Sequence, residues 1–374
     1  MSNILTYFSD YKYAVLYNNN NHSNGFENKI FLSNKDSISD ALDHKSYISF
    51  INYDYKNKLE TFPEKKNNNL SFPEKLLVEV EKEIAITDGN LEPISRNANK
   101  INLQQTISRD LYLQKVTKLK QHIQQGDIYE INYCITFEAF DVQINPFELY
   151  NKLNAISSSP YSALAKFNKQ WIISSSPELF LSKQGNTLLT KPIKGTWKRN
   201  ENIIEDSINK ALLQENVKER NENVMIVDVS RNDLSRIAKS GSVSVPKLFD
   251  IESYKQVHQM VSTVKCELRP NITFNDIIQA TFPMASMTGA PKISALHLID
   301  EYELYNRNAY SGALGYINAN GNFDLNVLIR SIFYDEEKKH LSFTVGSAIT
   351  SLCNAEEEYE ECLLKAKAMM QVLS

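Results

Sequence analysis

Two pairs of glutamates share one spacing. Glu358 and Glu361 lie three apart near the end of the chain, with Lys365 four residues beyond Glu361. Glu219 and Glu222 repeat that spacing just ahead of the apolar run Val224-Met-Ile-Val. Residues three or four apart are neighbours on a helix surface, so each pair presents two carboxylates side by side. On separate helices, two such pairs can converge on one hard cation such as Mg²⁺, which takes carboxylate oxygens and keeps waters for a substrate. Each pair is equally the solvated acidic turn of a helix N-terminus, where carboxylates complement the dipole. Spacing alone leaves that choice open.

Lys194 stands in Thr190-Lys-Pro-Ile-Lys-Gly-Thr. Gly195 beside it lets a ligand approach the backbone closely, and Thr196 adds a hydroxyl and an amide N–H. A lysine at such a turn is ordinarily a surface residue; a desolvated or cation-flanked one becomes a nucleophile. Glu178 follows Ser174-Ser-Ser-Pro and precedes Leu179-Phe-Leu. Burial there would raise its pKa and suit it to general-acid work, while the alternative is a strand-end carboxylate capped by serines. Thr288-Gly-Ala-Pro-Lys lacks the spacing of a phosphate loop, and neither GxGxxG nor GxSxG occurs.

The elements that must position these groups follow from hydrophobic period and punctuation. Tyr112, Val116, Leu119 and Ile123 recur at helical intervals, with Ser108 as N-cap and Gly126 past the end. Further helices are expected at 204–213, 221–238, 293–304 and 356–373, the last with Tyr359, Leu363, Ala366, Met370 and Leu373 as its apolar stripe. Strands are expected at 29–33, 47–53, 128–137, 171–174, 313–317, 325–333 and 341–345. Strands clustered in sequence, not alternating strictly with helices, indicate an α+β fold. The asparagine runs 18–21 and 67–69 read as exposed loops, and the polar stretch 88–102 as a boundary. It separates a short strand-rich N-terminal segment (1–98), packed on the main body, from a catalytic domain (99–374).

The 374 residues are 42% hydrophobic and 23% charged, with 41 basic and 45 acidic side chains. That composition supports a packed core and excludes wholesale disorder. A formal charge of -4 provides neither a nucleic-acid footprint nor a polybasic membrane patch. Neither a secretion signal nor an apolar stretch of membrane-spanning length occurs, so a cytoplasmic protein is expected. Cys134 falls in a strand-like run, Cys266 in a polar turn before Pro270, Cys353 ahead of the last helix and Cys362 within it. Their separations fit free thiols, not a zinc site. None sits on a glycine-flanked elbow, so an internal glutaminase is not expected.

Taken in order, eight segments resemble the chorismate-utilising enzymes. They are Gly126-Asp-Ile-Tyr-Glu-Ile-Asn, Ser176-Pro-Glu-Leu-Phe, Lys191-Pro-Ile-Lys-Gly-Thr, Glu219-Arg-Asn-Glu-Asn-Val-Met-Ile-Val-Asp, Val257-His-Gln-Met-Val-Ser, Phe282-Pro-Met-Ala-Ser-Met-Thr-Gly-Ala-Pro-Lys, Tyr310-Ser-Gly-Ala-Leu-Gly-Tyr and Glu357-Glu-Tyr-Glu-Glu-Cys-Leu-Leu-Lys. The resemblance runs from about residue 105 to the C-terminus. It implies one large domain of two packed antiparallel sheets with helices outside. It also implies Mg²⁺ held by Glu222 and Glu361, with Glu219 and Glu358 assisting. Gly195, Thr196, Tyr310, Arg330, Gly346 and Ala348 match substrate-contacting positions, Arg330 suiting a carboxylate through its planar fork.

Within the family Lys194 discriminates. Anthranilate-forming members usually read Pro-Ile-Ala-Gly-Thr, whereas those making 4-amino-4-deoxychorismate commonly read Pro-Ile-Lys-Gly-Thr, as here. By that resemblance Lys194 attacks the ring as the C4 hydroxyl leaves, protonated by Glu178, and ammonia then displaces the lysine. The ammonia is expected from a separate glutamine amidotransferase subunit, and para-aminobenzoate, on the way to folate, from a separate lyase. Isochorismate and salicylate synthases carry a lysine base where this chain has Glu130, and most other relatives carry glutamine. His258-Gln259 replaces the usual pair of histidines, the second of which is linked to pyruvate elimination in anthranilate synthases. Gly346-Ser-Ala-Ile-Thr replaces Gly-Ala-Gly-Ile-Val, and the tryptophan-feedback motif is absent. Three readings stand: a chorismate aminase, an anthranilate-forming enzyme, and a catalytically silent homologue acting as a binding subunit.

Overall fold

The structure, a computed structural model, describes residues 2–40, 44–62, 70, 72–87, 101–254 and 257–374. Two antiparallel sheets dominate it. Across the first, the strands run in the order Gly289–Ala290, Glu130–Ala139, His340–Thr350, Ser331–Asp335, Gln170–Ser176, Tyr161–Phe167, Tyr13–Asn18, Lys29–Ser33 and Lys82–Ala85, with Gln104–Gln105 also on Glu130–Ala139. The second runs Ile193–Lys198, Val257–Glu267, Thr187–Lys191, Leu179–Gln184, Phe323–Val327, Ala313–Ile317, Tyr47–Ile51 and Lys75–Glu79, with Ser244–Ser253 added on Val257–Glu267. Strands from the first hundred residues thus lie in both sheets.

Alternation along Tyr13–Asn18 shows how the layers are built. Tyr13, Val15 and Tyr17 enter the core between the sheets, while Ala14 and Leu16 enter a second core under the helices. Both faces are covered, so the strands read as continuous apolar runs instead of alternating apolar and polar residues. Each fully buried large aliphatic or aromatic side chain there contributes about 1.5–3 kcal/mol. The helix Arg109–Gln125 begins and ends where expected: Ser108 Oγ accepts from Leu111 N, and Gly126 closes it at φ 85°. It packs Tyr112, Val116 and Leu119 into the second core beside Tyr359 and Ala366 of the final helix, Ala355–Leu373.

Some expectations change. The run 325–333 is not one strand: Phe323–Val327 pairs in the second sheet and Ser331–Asp335 in the first. The chain crosses between sheets at Leu328–Arg330, with Arg330 at φ 49°. Leu328 and Ile329 stay in or against the core during the crossing, so hydropathy gives no sign of it. Asn18–Asn21 is a turn packed by its own side chains, not an exposed loop. Asn18 is buried at a strand end, and Asn20 donates to Asn154, Ser159 and Ser162. Cys266 lies buried inside Val257–Glu267, not in a polar turn. All four cysteines are free. The loop 67–69 and most of the boundary 88–102 lie outside the described residues. No helix among the described residues is long and apolar enough to cross a membrane.

Candidate active site

Lys194 sits on the edge strand Ile193–Lys198, where side chains alternate between the two faces. It is 9% exposed, and its Nζ donates to Glu130 Oε1 at 2.5 Å; Glu130, on Glu130–Ala139, is 1% exposed. Burial by itself would lower the lysine's pKa. Glu130 and Glu222 outweigh that and hold the ammonium above the ordinary lysine range. The resting residue is therefore a charged, desolvated lysine. The other Glu130 oxygen, Oε2, is buried without a hydrogen-bond partner among the described residues.

Glu178 occupies the turn between Gln170–Ser176 and Leu179–Gln184 and is 4% exposed. Ser176 Oγ accepts from its backbone N–H, while Ser286 and the Ile193 N–H donate to its carboxyl. Burial pushes its pKa up to about 7, against those donors and the nearby Lys194 charge. A carboxyl group in that range can hold a proton near neutral pH and release it during a reaction.

The four glutamates stand near the N-termini of two helices. Asn216 caps Val217–Ser235 by accepting from Glu219 N, which places Glu219 and Glu222 on the first two turns. The helix begins four residues ahead of its expected start at 221. Asn354 caps Ala355–Leu373, which carries Glu358 and Glu361. Burial first, then Glu130 and Glu219, push Glu222 up to about 8. Burial and Glu361 also raise Glu219 and Glu358. Glu361 is lowered despite its burial, because Lys365 Nζ lies 2.7 Å from its Oε1. Lys218 Nζ donates to Glu358 Oε1 at 2.8 Å and lies 3.9 Å from Glu222 Oε1, which is buried and makes no hydrogen bond among the described residues.

Hard oxygen donors, an excess of carboxyls and an orphaned Glu222 oxygen suit a small divalent cation. As placed, no three Asp, Glu, His or Cys side chains among the described residues converge tightly enough to ligate one ion. The donor chemistry fits; closing the set requires side-chain movement.

Gly195, at φ 85°, ties the lysine strand to this cluster, since a Cβ there would lie 2.9 Å from Glu219 Oε2. Gly346 is demanded by its neighbours: a Cβ would come within 2.4 Å of Asn132 Oδ1 and 2.7 Å of Cys134 Sγ. Its carbonyl accepts from Lys365 Nζ at 2.9 Å. Thr196 is exposed opposite Gln259, and Ala348 is buried opposite Asn132. Tyr310 is buried beside Cys134 and Arg307, and Arg330 faces Tyr254. No hydrogen bond or ion pair among the described residues joins these last four to the lysine–glutamate cluster, and the Arg330 guanidinium has no carboxylate partner there. Motif reading passed over Lys218. Its signal was available, because it stands four residues before Glu222, just as Lys365 stands four after Glu361.

The raised Glu222 has a consequence for stability. Its folded pKa exceeds the unfolded one, so the folded state binds the extra proton between about pH 4.5 and 8, and metal-free stability falls as pH rises through that window. Glu222→Gln should flatten the decline and raise the metal-free Tm at pH 8 by roughly 5 °C, read by thermal melts from pH 5 to 8. An unchanged slope would show that Glu222 is not the titrating burden.

Buried acids thus gather around a buried lysine on two packed sheets. The chorismate binding enzyme family matches residues 6–371, and the chain belongs to that family. It is 38% identical over 289 residues to the probable chloroplastic aminodeoxychorismate synthase of Oryza sativa, covering 76% of this chain and 32% of that protein. It is 36% identical over 274 residues to anthranilate synthase component 1 of Lactococcus lactis, covering 73% and 59%. The chain thus spans about a third to three-fifths of the length of these relatives. Anthranilate synthase component I from Streptococcus pneumoniae has the same fold, with a TM-score of 0.78 at 25% identity over 96% of this chain and 92% of that one.

Proposed function

We propose that the chain is the chorismate-aminating component of an aminodeoxychorismate synthase, exchanging the C4 hydroxyl of chorismate for an amine. The observation that carries this reading is Lys194, buried among Glu130, Glu178 and Glu222 at the position where the anthranilate-forming relatives resemble this segment but usually carry alanine. Glu130, 2.5 Å from the ammonium, is placed to take its proton and free the amine for attack on the ring. Glu178, with a pKa near 7, gives a proton to the departing C4 oxygen, which leaves as water. Ammonia then forms the new bond at C4 as the lysine departs with its electron pair. The incoming amine returns a proton to Glu178, and Lys194 recovers its own from Glu130. Arg330 offers a fork for a substrate carboxylate. Glu222 and Glu361, with Glu219 and Glu358 behind them, would hold Mg²⁺, which would supply positive charge for a second carboxylate.

The expected partner is a glutamine amidotransferase subunit, a reading supported by the "component" naming of the Lactococcus relative. Incubating the chain with chorismate, Mg²⁺ and an ammonium salt should give a product with the mass of aminodeoxychorismate. Glutamine should substitute for ammonium only after an amidotransferase is added. The comparable identity to aminodeoxychorismate and anthranilate synthases, 38% and 36%, supports anthranilate formation as the second reading. Anthranilate and pyruvate as products would replace the first reading with it.

A further inference from the structure

The acidic face between Val217–Ser235 and Ala355–Leu373 already contains a cation. Lys218 Nζ bonds to Glu358 Oε1 at 2.8 Å and reaches toward the unbonded Glu222 Oε1 at 3.9 Å. A single ammonium therefore links a carboxylate of each helix. Both carboxylates are almost wholly buried, whereas the Lys218 side chain is 38% exposed and can swing into solvent without opening the core. Lys365 is held differently, by Glu361 and by the Gly346 carbonyl, so it has two fixed partners where Lys218 has one short hydrogen bond. Around the site stand six carboxyls (Glu130, Glu178, Glu219, Glu222, Glu358, Glu361) and three ammoniums (Lys194, Lys218, Lys365). Carboxyls outnumber ammoniums by three, an excess that leaves room for the charge of a divalent ion.

We propose that Lys218 is a built-in counter-ion that bridges the two helices when no divalent cation is present and must be displaced for one to bind. The proposal rests on the metal reading given above. A charge fixed between these carboxyl groups stabilises Glu358 as the carboxylate it pairs with and favours ionisation of Glu222, and the same charge repels an arriving cation. Its removal therefore has two opposite effects, weaker metal-free packing and tighter metal binding. A lysine serving only as a surface partner of Glu358 gives the first without the second.

The test is calorimetric titration of MgCl₂ into the full chain, without chorismate, for the wild type, Lys218→Met and Lys218→Arg, with thermal melts alongside. Lys218→Met should bind Mg²⁺ about tenfold more tightly than the wild type, melt lower without metal, and show the larger Mg²⁺-induced rise in Tm. Lys218→Arg keeps the charge and should bind Mg²⁺ no more tightly than the wild type, which separates charge from a general disturbance of the fold. Should Lys218→Met be too unstable to titrate, Lys218→Gln takes its place with the same expectation. Equal or weaker Mg²⁺ binding in the uncharged variant, with binding intact in the wild type, overturns the counter-ion role and leaves the metal reading standing. No Mg²⁺ binding by any of the proteins overturns both.

Discussion

Lys194→Ala should abolish the amination of chorismate at low ammonium, with a loss on the order of 10²-fold or more, equivalent to a barrier higher by at least about 2.7 kcal/mol. High ammonium should restore part of the activity, because ammonia can then attack the ring directly. Alanine also leaves the Glu130 carboxylate buried without its partner, at a cost of roughly 3–5 kcal/mol in stability. The double variant Lys194→Met, Glu130→Gln removes both charges and should recover most of that stability while remaining inactive. Initial rates as a function of ammonium, measured beside thermal melts, separate chemistry from folding. Wild-type rates at low ammonium in either variant would exclude Lys194 as the nucleophile.

The second large effect concerns the acidic pairs. Glu222→Gln and Glu361→Gln should each reduce Mg²⁺-supported turnover by about 10²–10³-fold, because a bound cation contributes several kcal/mol of charge stabilisation. The two variants should differ in stability. Glu222 is a strained carboxyl, raised by burial and by its acidic neighbours, so neutralising it relieves repulsion in the metal-free protein. Glu361 is paired with Lys365, and its removal leaves that ammonium, among the described residues, with the Gly346 carbonyl as its hydrogen-bond partner. Metal-free Tm should therefore rise for the first and hold or fall for the second. Full activity in the presence of a chelator would remove the metal from the mechanism altogether.

What the sequence determined by itself is what short-range physics encodes. Ser108 and Gly126 bound a helix because a hydroxyl satisfies a free N–H and a glycine tolerates the left-handed turn that ends it. Three-residue spacing placed Glu358 and Glu361 on one helix, whereas Glu219 fell outside the expected helix 221–238 and joins Glu222 because the Asn216 cap starts it earlier; the ordered motifs carried the family. Tertiary structure decided the rest. The sequence offered a surface lysine or a desolvated nucleophile at 194; a carboxylate 64 residues away in the other sheet, at 2.5 Å, makes it a buried ion pair. Lys218 meets Glu358 across 140 residues, which helix periodicity cannot express. The unbroken apolar run at 325–333 divides between two sheets because the crossing stays in or against the core and so leaves no polar mark. Local pattern sets which face of an element is apolar or acidic. The charge state of a buried group depends on what packs against it from elsewhere in the chain, because in a desolvated site one neighbouring charge outweighs any preference the residue has alone.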